Sequence, residues 1–203
     1  MNPVKLFPLF LKLKGRPCLV VGAGTIAESK IASLLEADAQ VRVVAPEATP
    51  RVGLWAEENK IDWEQRRFQA SDLDNVFLVV AATSSTALHE EIFREATERG
   101  VLCNVVDVPG LCDFYYPAVV QRGALQIAIS TAGLSPALAQ RLRKEMEDQF
   151  GTEYEAWLEH LGKERDKLFS ATRDVEERKR LLHDLASAEA FQAFVRKRKK
   201  SKK

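Results

Sequence analysis

Apolar positions in the first half of the chain come in short unbroken runs, separated by stretches in which they recur every three or four residues. Pro17-Cys18-Leu19-Val20-Val21-Gly22 is one such run, β-branched and closed by a glycine, the pattern of a strand buried on both faces. Directly after it Ile26, Ala27, Ile31, Leu34 and Leu35 share one face of a helix predicted over 24–37. A second strand is predicted over 41–45. Thr49 as N-cap and Pro50 at the first helical position then start a helix reaching Asn59, and a weaker strand follows over 61–65. The fully apolar stretch 76–82 predicts a strand covered on both sides. Ser84 or Ser85 caps the helix carrying Leu88, Ile92, Phe93 and Ala96, Gly100 stops it, and 101–106 is a further strand. Strands alternating with helices from 17 to 107 predict an α/β domain with a doubly wound parallel sheet of the Rossmann type and right-handed crossovers.

After Asp107 the rhythm changes. A Pro/Gly-containing loop over 108–113 leads to predicted short strands over 114–116 and 125–130, and Ser135-Pro136 begins a helix over 135–150. Beyond Gly151 the apolar residues keep helical spacing through Trp157, Leu161, Leu182 and Phe194, which predicts a small helical C-terminal domain. The expected organisation is a nucleotide-binding domain over 1–112, a small α+β segment over 113–150, helices over 151–195 and a basic tail over 196–203.

With 46% hydrophobic and 29% charged residues, the composition is that of a globular protein. The net charge of +1 hides an asymmetry: residues 196–203 hold seven of the 30 Lys and Arg, so the remainder sets 23 basic residues against 29 acidic ones. The tail reads either as a solvated, frayed terminus or as a contact for a polyanion, nucleic acid or substrate carboxylates. No run of 18 apolar residues occurs and Met1 to Phe10 lacks the pattern of a secretory signal, so a cytoplasmic protein with no membrane partner is expected. Cys18, Cys103 and Cys112 have no ligand-like spacing and read as structural thiols; no metal site is expected.

Gly22-Ala23-Gly24-Thr25-Ile26-Ala27 matches the dinucleotide fingerprint G-x-G-x-x-G/A, with a predicted strand leading in and a helix leading out. Gly22 permits the tight turn, Gly24 lets backbone approach a pyrophosphate, and the amides of Thr25 and Ile26 sit at the positive end of the helix dipole. Val44-Ala45-Pro46-Glu47 ends the second strand. Glu47 either binds an adenosine ribose diol, which favours NAD over NADP, or caps the next helix. Arg42 and Arg51 nearby keep a 2′-phosphate open. Thr83 ends the fourth strand at the carboxyl edge, where ligands of open α/β sheets bind. Asp107 closes the fifth strand beside the same cleft, as an acid able to take a proton during hydride transfer or as a turn-forming aspartate. In the hydroxyl-rich Ser130-Thr131-Ala132-Gly133-Leu134-Ser135-Pro136 loop, Ser135 is an N-cap, while Ser130 and Thr131 with free helix amides could receive carboxylates.

Taken together, Phe7-Pro8-Leu9-Phe10, the glycine turn with Lys30, Val43 to Glu47, Ala81-Ala82-Thr83, Asn104-Val105-Val106-Asp107, Phe114 with Pro117-Ala118, and Ser130 to Pro136 resemble the precorrin-2 dehydrogenase / sirohydrochlorin ferrochelatase family, the dehydrogenase module of siroheme synthase. The resemblance implies a homodimer whose 113–150 segment mediates dimerisation, and NAD-dependent oxidation of precorrin-2 to sirohydrochlorin. Some members also insert iron into the product. It carries the key aspartate onto Asp107, the substrate-proximal serine pair onto Ser130 and Thr131, and nucleotide contacts onto Thr25, Ile26, Pro46 and Glu47; Ser135, in the same loop, is expected as a further substrate contact. Ser29, Thr131 and Ala132 depart from the residues common in the family. No nucleic-acid partner is expected. The alternative from another class is an NAD(H)-sensing regulatory module, which accounts for the first 107 residues and gives no reason for the motifs after them.

Overall fold

The computed structural model describes residues 5–201. They form two compact units, the first ending at Tyr116 and the second beginning at Pro117.

In the first unit β1 (Pro17–Val21), β2 (Gln40–Val44), β3 (Asp62–Glu64), β4 (Leu78–Ala81) and β5 (Leu102–Val105) form one parallel sheet in the order β3-β2-β1-β4-β5. α1 (Thr25–Glu36) and α2 (Pro50–Glu57) follow β1 and β2, and α3 (Thr86–Arg99) joins β4 to β5. Alternation along β1 explains the layering. Cys18 and Val20 face a core shared with Ala27, Ile31 and Leu34 of α1 and Val52 and Trp55 of α2, whereas Leu19 and Val21 face one shared with Ile92 and Ala96 of α3. Each fully buried Leu, Ile or Val contributes about 1.5–3 kcal/mol relative to exposure, which is why these strands read as apolar runs. Burial pushes the Cys18 and Cys103 thiols up to about 11 and about 12, so neither supplies a reactive thiolate.

Arg42 breaks the alternation on β2. Its side chain reaches Glu64 at 3.0 Å and the Asp72 carboxylate at 3.4 Å, and also donates to the Asp72 carbonyl. Arg66 forks onto Glu64 and onto both Asp72 oxygens, at 2.6 and 2.9 Å. Asp72, only 3% exposed, accepts the Gln69 N–H at 2.8 Å as well. The network ties the end of β3 to the 3₁₀ turn Ala70–Leu73, from which the chain crosses the sheet to β4.

The segment 114–116, expected as a strand, is irregular. The chain turns back at Pro109–Leu111 and runs beside the outer edge of β5, where Asn104 bridges Cys112, the Asp113 carboxylate accepts the Cys103 N–H at 2.8 Å and Asn104 Nδ2 donates to the Phe114 carbonyl at 2.7 Å. Side chains satisfy backbone groups that a strand partner would otherwise take, and they cover the edge.

In the second unit β6 (Ala118–Arg122) and β7 (Leu125–Ile129) form an antiparallel hairpin turned at Gly123, whose φ is +58°. Four helices follow: α4 (Pro136–Gln149), α5 (Glu153–Ala171), α6 (Val175–Leu185) and α7 (Ala188–Ser201). Trp157 of α5 is buried against Phe191 and Phe194 of α7, at ring separations of 5.9 and 5.0 Å. That anchor carries α7 through 196–201, where a frayed tail was expected. Arg198, Lys199 and Lys200 fall in its last turn, where the helix dipole favours cations, and residues 202–203 lie outside the described residues.

Burial pushes the Asp72 carboxyl up, but the bonds from Arg66 and Gln69 and the charges of Arg66 and Arg42 outweigh it, leaving it below the usual carboxylate range. Its stabilising contribution is therefore complete above the unfolded-state value near 4 and is lost as pH falls through the depressed folded value. Asp72→Ala is expected to lower stability by about 1–3 kcal/mol at neutral pH, because it strips the Gln69 N–H of its acceptor and leaves Glu64 alone to hold two half-exposed arginines. Urea unfolding at pH 7 and pH 3 measures this: the wild type loses stability on acidification and the variant loses less.

Candidate functional site

The carboxyl edge of the parallel sheet opens into a cleft of about 1010 Å³, lined by the last residues of β1 and β2 and by the segments that follow all five strands. It lies where the chain leaves β1 toward β2 on one side and reaches β4 on the other, the switch point at which open α/β sheets bind ligands.

Its floor is the glycine turn. Gly22 holds φ +105°, a conformation that L side chains rarely adopt, and its N–H donates to the Val44 carbonyl at 3.0 Å. A Cβ on it would overlap the Ala82 carbonyl. Gly24, the N-cap of α1, has ordinary φ −81° and nothing within 4 Å of where a Cβ would stand. The two glycines thus serve different ends, close packing of β1 on β4 at Gly22 and open space at Gly24. α1 has no side-chain cap, whereas α2, α3, α4 and α6 are capped by Thr49, Ser85, Ser135 and Asp174. Thr25 and Ile26 are exposed above it, and their first-turn N–H groups cannot find acceptors within the helix. An uncapped helix amino end beside open space suits a pyrophosphate, and the residues present fit a nicotinamide dinucleotide.

Beyond β2, exposed Pro46 and Glu47 line the cleft, on a loop pinned by the Thr49 N–H to the Ala23 carbonyl at 3.0 Å. Glu47 does not cap α2, since Thr49 does. Neither arginine considered for a 2′-phosphate is free: Arg42 is held by Glu64 and Asp72, and Arg51 lies 4.9 Å over the Trp55 ring. Thr83, beyond β4, accepts the Ser85 N–H through its hydroxyl at 3.3 Å, and buried His89 donates from Nε2 to its carbonyl at 3.0 Å. His89 is a satisfied core histidine that fixes this loop.

Asp107 stands at the β5 end of the same cleft, exposed, with φ +62°. A non-glycine residue in this region costs on the order of 1–3 kcal/mol, least for Asp and Asn. Lys30, one turn along α1 from Ala27, sets its Nζ 3.8 Å from the Tyr116 ring centre. Burial lowers the Lys30 ammonium, and the negative charge of Asp107 opposes that shift.

The first unit therefore gathers Gly22, Gly24, Thr25, Ile26, Pro46, Glu47, Thr83 and Asp107 into one cleft. Ser130, Thr131 and Ser135 belong to the second unit and are gathered around the loop into α4. Ser135 Oγ accepts the Leu138 N–H at 3.2 Å, Thr131 Oγ1 accepts the Ser135 N–H at 3.2 Å, and Ser130 Oγ accepts the Ala132 N–H at 3.1 Å. Ala132 and Gly133 supply the positive φ values of the turn, +51° and +79°. Sequence reasoning missed Arg67 and Phe68, which line the cleft beyond β3. Their segment has no periodicity, and only the strand order reveals that it borders the site.

Fold and cleft together define a dinucleotide-binding protein of the Rossmann class. Comparison with known proteins narrows this. Residues 9–118 match the family model described as NAD(P)-binding and residues 122–149 that of the sirohaem biosynthesis protein central segment. The chain belongs to this NAD(P)-binding family, and its residues 122–149 are similar to the sirohaem-biosynthesis central segment. It is 41% identical over 144 residues to a siroheme synthase of Nitrosococcus oceani, covering 71% of this chain and 31% of that protein. A siroheme synthase of Mannheimia succiniciproducens is 37% identical over 179 residues, covering 88% and 38%. The chain thus spans roughly a third of the length of the curated relatives it matches. A solved structure described as SirC, precorrin-2 dehydrogenase, superimposes with a TM-score of 0.84 at 27% identity, covering 96% of each chain.

The two glycines predict opposite failures. Gly22→Ala is expected to lower the melting temperature by several degrees, since backbone must move to admit it. Gly24→Val leaves thermal stability near wild type and weakens nucleotide binding at least ten-fold. Differential scanning calorimetry paired with nucleotide titration separates the two.

Proposed function

We propose that this chain is an NAD-dependent precorrin-2 dehydrogenase, acting as a cytoplasmic homodimer to form sirohydrochlorin. The observation that carries the reading is Asp107, a carboxylate held in a left-handed turn at the cleft's β5 end, in a chain similar along nearly its whole length to a precorrin-2 dehydrogenase. NAD is favoured over NADP by Glu47 at the end of β2 and by the engagement of Arg42 and Arg51 elsewhere.

In this reading the first-turn amides of α1 and the open space over Gly24 hold the pyrophosphate, and Glu47 accepts from the ribose hydroxyls. When bound, the nicotinamide supplies the hydride acceptor. Asp107 takes the proton that leaves the substrate. The hydroxyls of Ser130, Thr131 and Ser135 each accept from a backbone N–H, which leaves each O–H to donate to a substrate carboxylate. Homodimer formation is supported by the exposed Val119, Leu134 and Leu138 of the second unit, at 37%, 69% and 39%. Among the described residues no helix is long and apolar enough to cross a membrane.

Purified protein given precorrin-2 and NAD⁺ is expected to produce NADH and the visible spectrum of sirohydrochlorin; nucleotide binding without turnover would favour the sensing module instead. Asp107→Asn is expected to cut kcat about 10²- to 10⁴-fold, the usual worth of a positioned base, with the Kd for NAD⁺ unchanged. Near-normal turnover would remove Asp107 from the chemistry. Light scattering should give twice the 22.8 kDa chain mass, and a monomer would contradict the dimer.

A further inference from the structure

The loop after β3 is built more firmly than an idle surface loop requires. Arg66 donates to the Arg67 carbonyl at 3.0 Å while its guanidinium bridges Glu64 and Asp72. Asp72 in turn holds the Gln69 N–H. Phe68 packs into the core that contains Leu19, Val21 and Val44. Backbone on both sides of Arg67 is therefore fixed. Of the three arginines in this region, Arg42 and Arg66 are consumed by the carboxylates. The guanidinium of Arg67 has no ion pair, hydrogen bond or ring contact among the described residues, and Arg67 is exposed on the lining of the cleft.

Strand order says which part of a ligand Arg67 would meet. Along the carboxyl edge the loops follow in line: Arg67 after β3, Glu47 after β2, the glycine turn after β1, Thr83 after β4 and Asp107 after β5. Neighbouring strands stand about 4.8 Å apart, roughly the step from a ribose to its base. With pyrophosphate at the glycine turn and the ribose diol at Glu47, the next group outward is the purine.

Resting on the dinucleotide reading above, we propose that Arg67 is the adenine-binding residue, its planar guanidinium stacked on the face of the base while Arg66, Phe68 and Asp72 hold its backbone in place. A planar, weakly hydrated cation is the side chain suited to such a face, and a lysine is not its equivalent.

Calorimetric titration of the full chain with NAD⁺, NADP⁺, AMP and nicotinamide mononucleotide tests this. Arg67→Ala is expected to weaken NAD⁺ and AMP by the same factor, roughly five- to twenty-fold, and to leave the mononucleotide and the melting temperature unchanged. Arg67→Lys should remain close to the alanine variant. Recovery of wild-type affinity by lysine, or a loss confined to NADP⁺, would make Arg67 a phosphate-binding charge and overturn the stacking assignment. Unaltered affinity for NAD⁺ and AMP in the alanine variant would overturn it as well. A wild-type chain that takes up no NAD⁺ sinks the dehydrogenase reading and this assignment together, whereas normal wild-type binding with an unaffected variant sinks the assignment alone.

Discussion

The amino end of α1 is the constraint around which the first unit is arranged. A helix whose leading N–H groups lack a side-chain cap carries unsatisfied donors and a concentrated positive dipole, and both want an anion. The chain keeps that end bare and accessible by spending a glycine on each side of Ala23. Gly22 lets β1 close on the end of β4, and Gly24 leaves free the volume a side chain would take. Thr49 joins the next loop to the same turn through the Ala23 carbonyl, so the β2 end, and Glu47 with it, is held relative to the turn by backbone hydrogen bonding.

The two ends of the cleft are stiffened by different physics. At β3 a buried carboxylate, two arginines and a glutamate form a closed set of charge-assisted bonds, which is tolerable beside an apolar core only because every member is partnered. At β5 the work is done by Asn104 and Asp113, whose side chains take the place of a sheet neighbour and return the chain past Asp107 toward Tyr116. Lys30 then sets its ammonium on the Tyr116 ring, where the negative charge of Asp107 works against the effect of burial on it.

What was legible in the sequence follows from burial. β1, β4 and β5 are covered on both faces, so their apolar runs stand out, and the glycine spacing at 22–27 has meaning because a strand precedes it and a helix follows. β6 was not foreseen: Ala118–Arg122 has only Val120 buried, and the more aromatic Phe114-Tyr115-Tyr116 attracted the strand reading instead. Of those rings Phe114 and Tyr116 pack on one another, and Tyr116 meets Lys30. The α7 extension was missed because charge count alone favours solvent, while the apolar anchor that holds the helix lies one turn earlier, at Phe191 and Phe194. Arg67 was illegible for a different reason. Its meaning comes from the order of strands in the sheet, which no local pattern contains.

The most direct measurement is a crystal structure of the chain with NAD⁺ and sirohydrochlorin bound. The account predicts pyrophosphate oxygens within hydrogen-bond distance of the backbone N–H groups at Gly24 to Ile26, and the nicotinamide ring and macrocycle meeting beside the Asp107 carboxylate. A pyrophosphate seated elsewhere, or an Asp107 side chain turned to solvent away from both ligands, would contradict it.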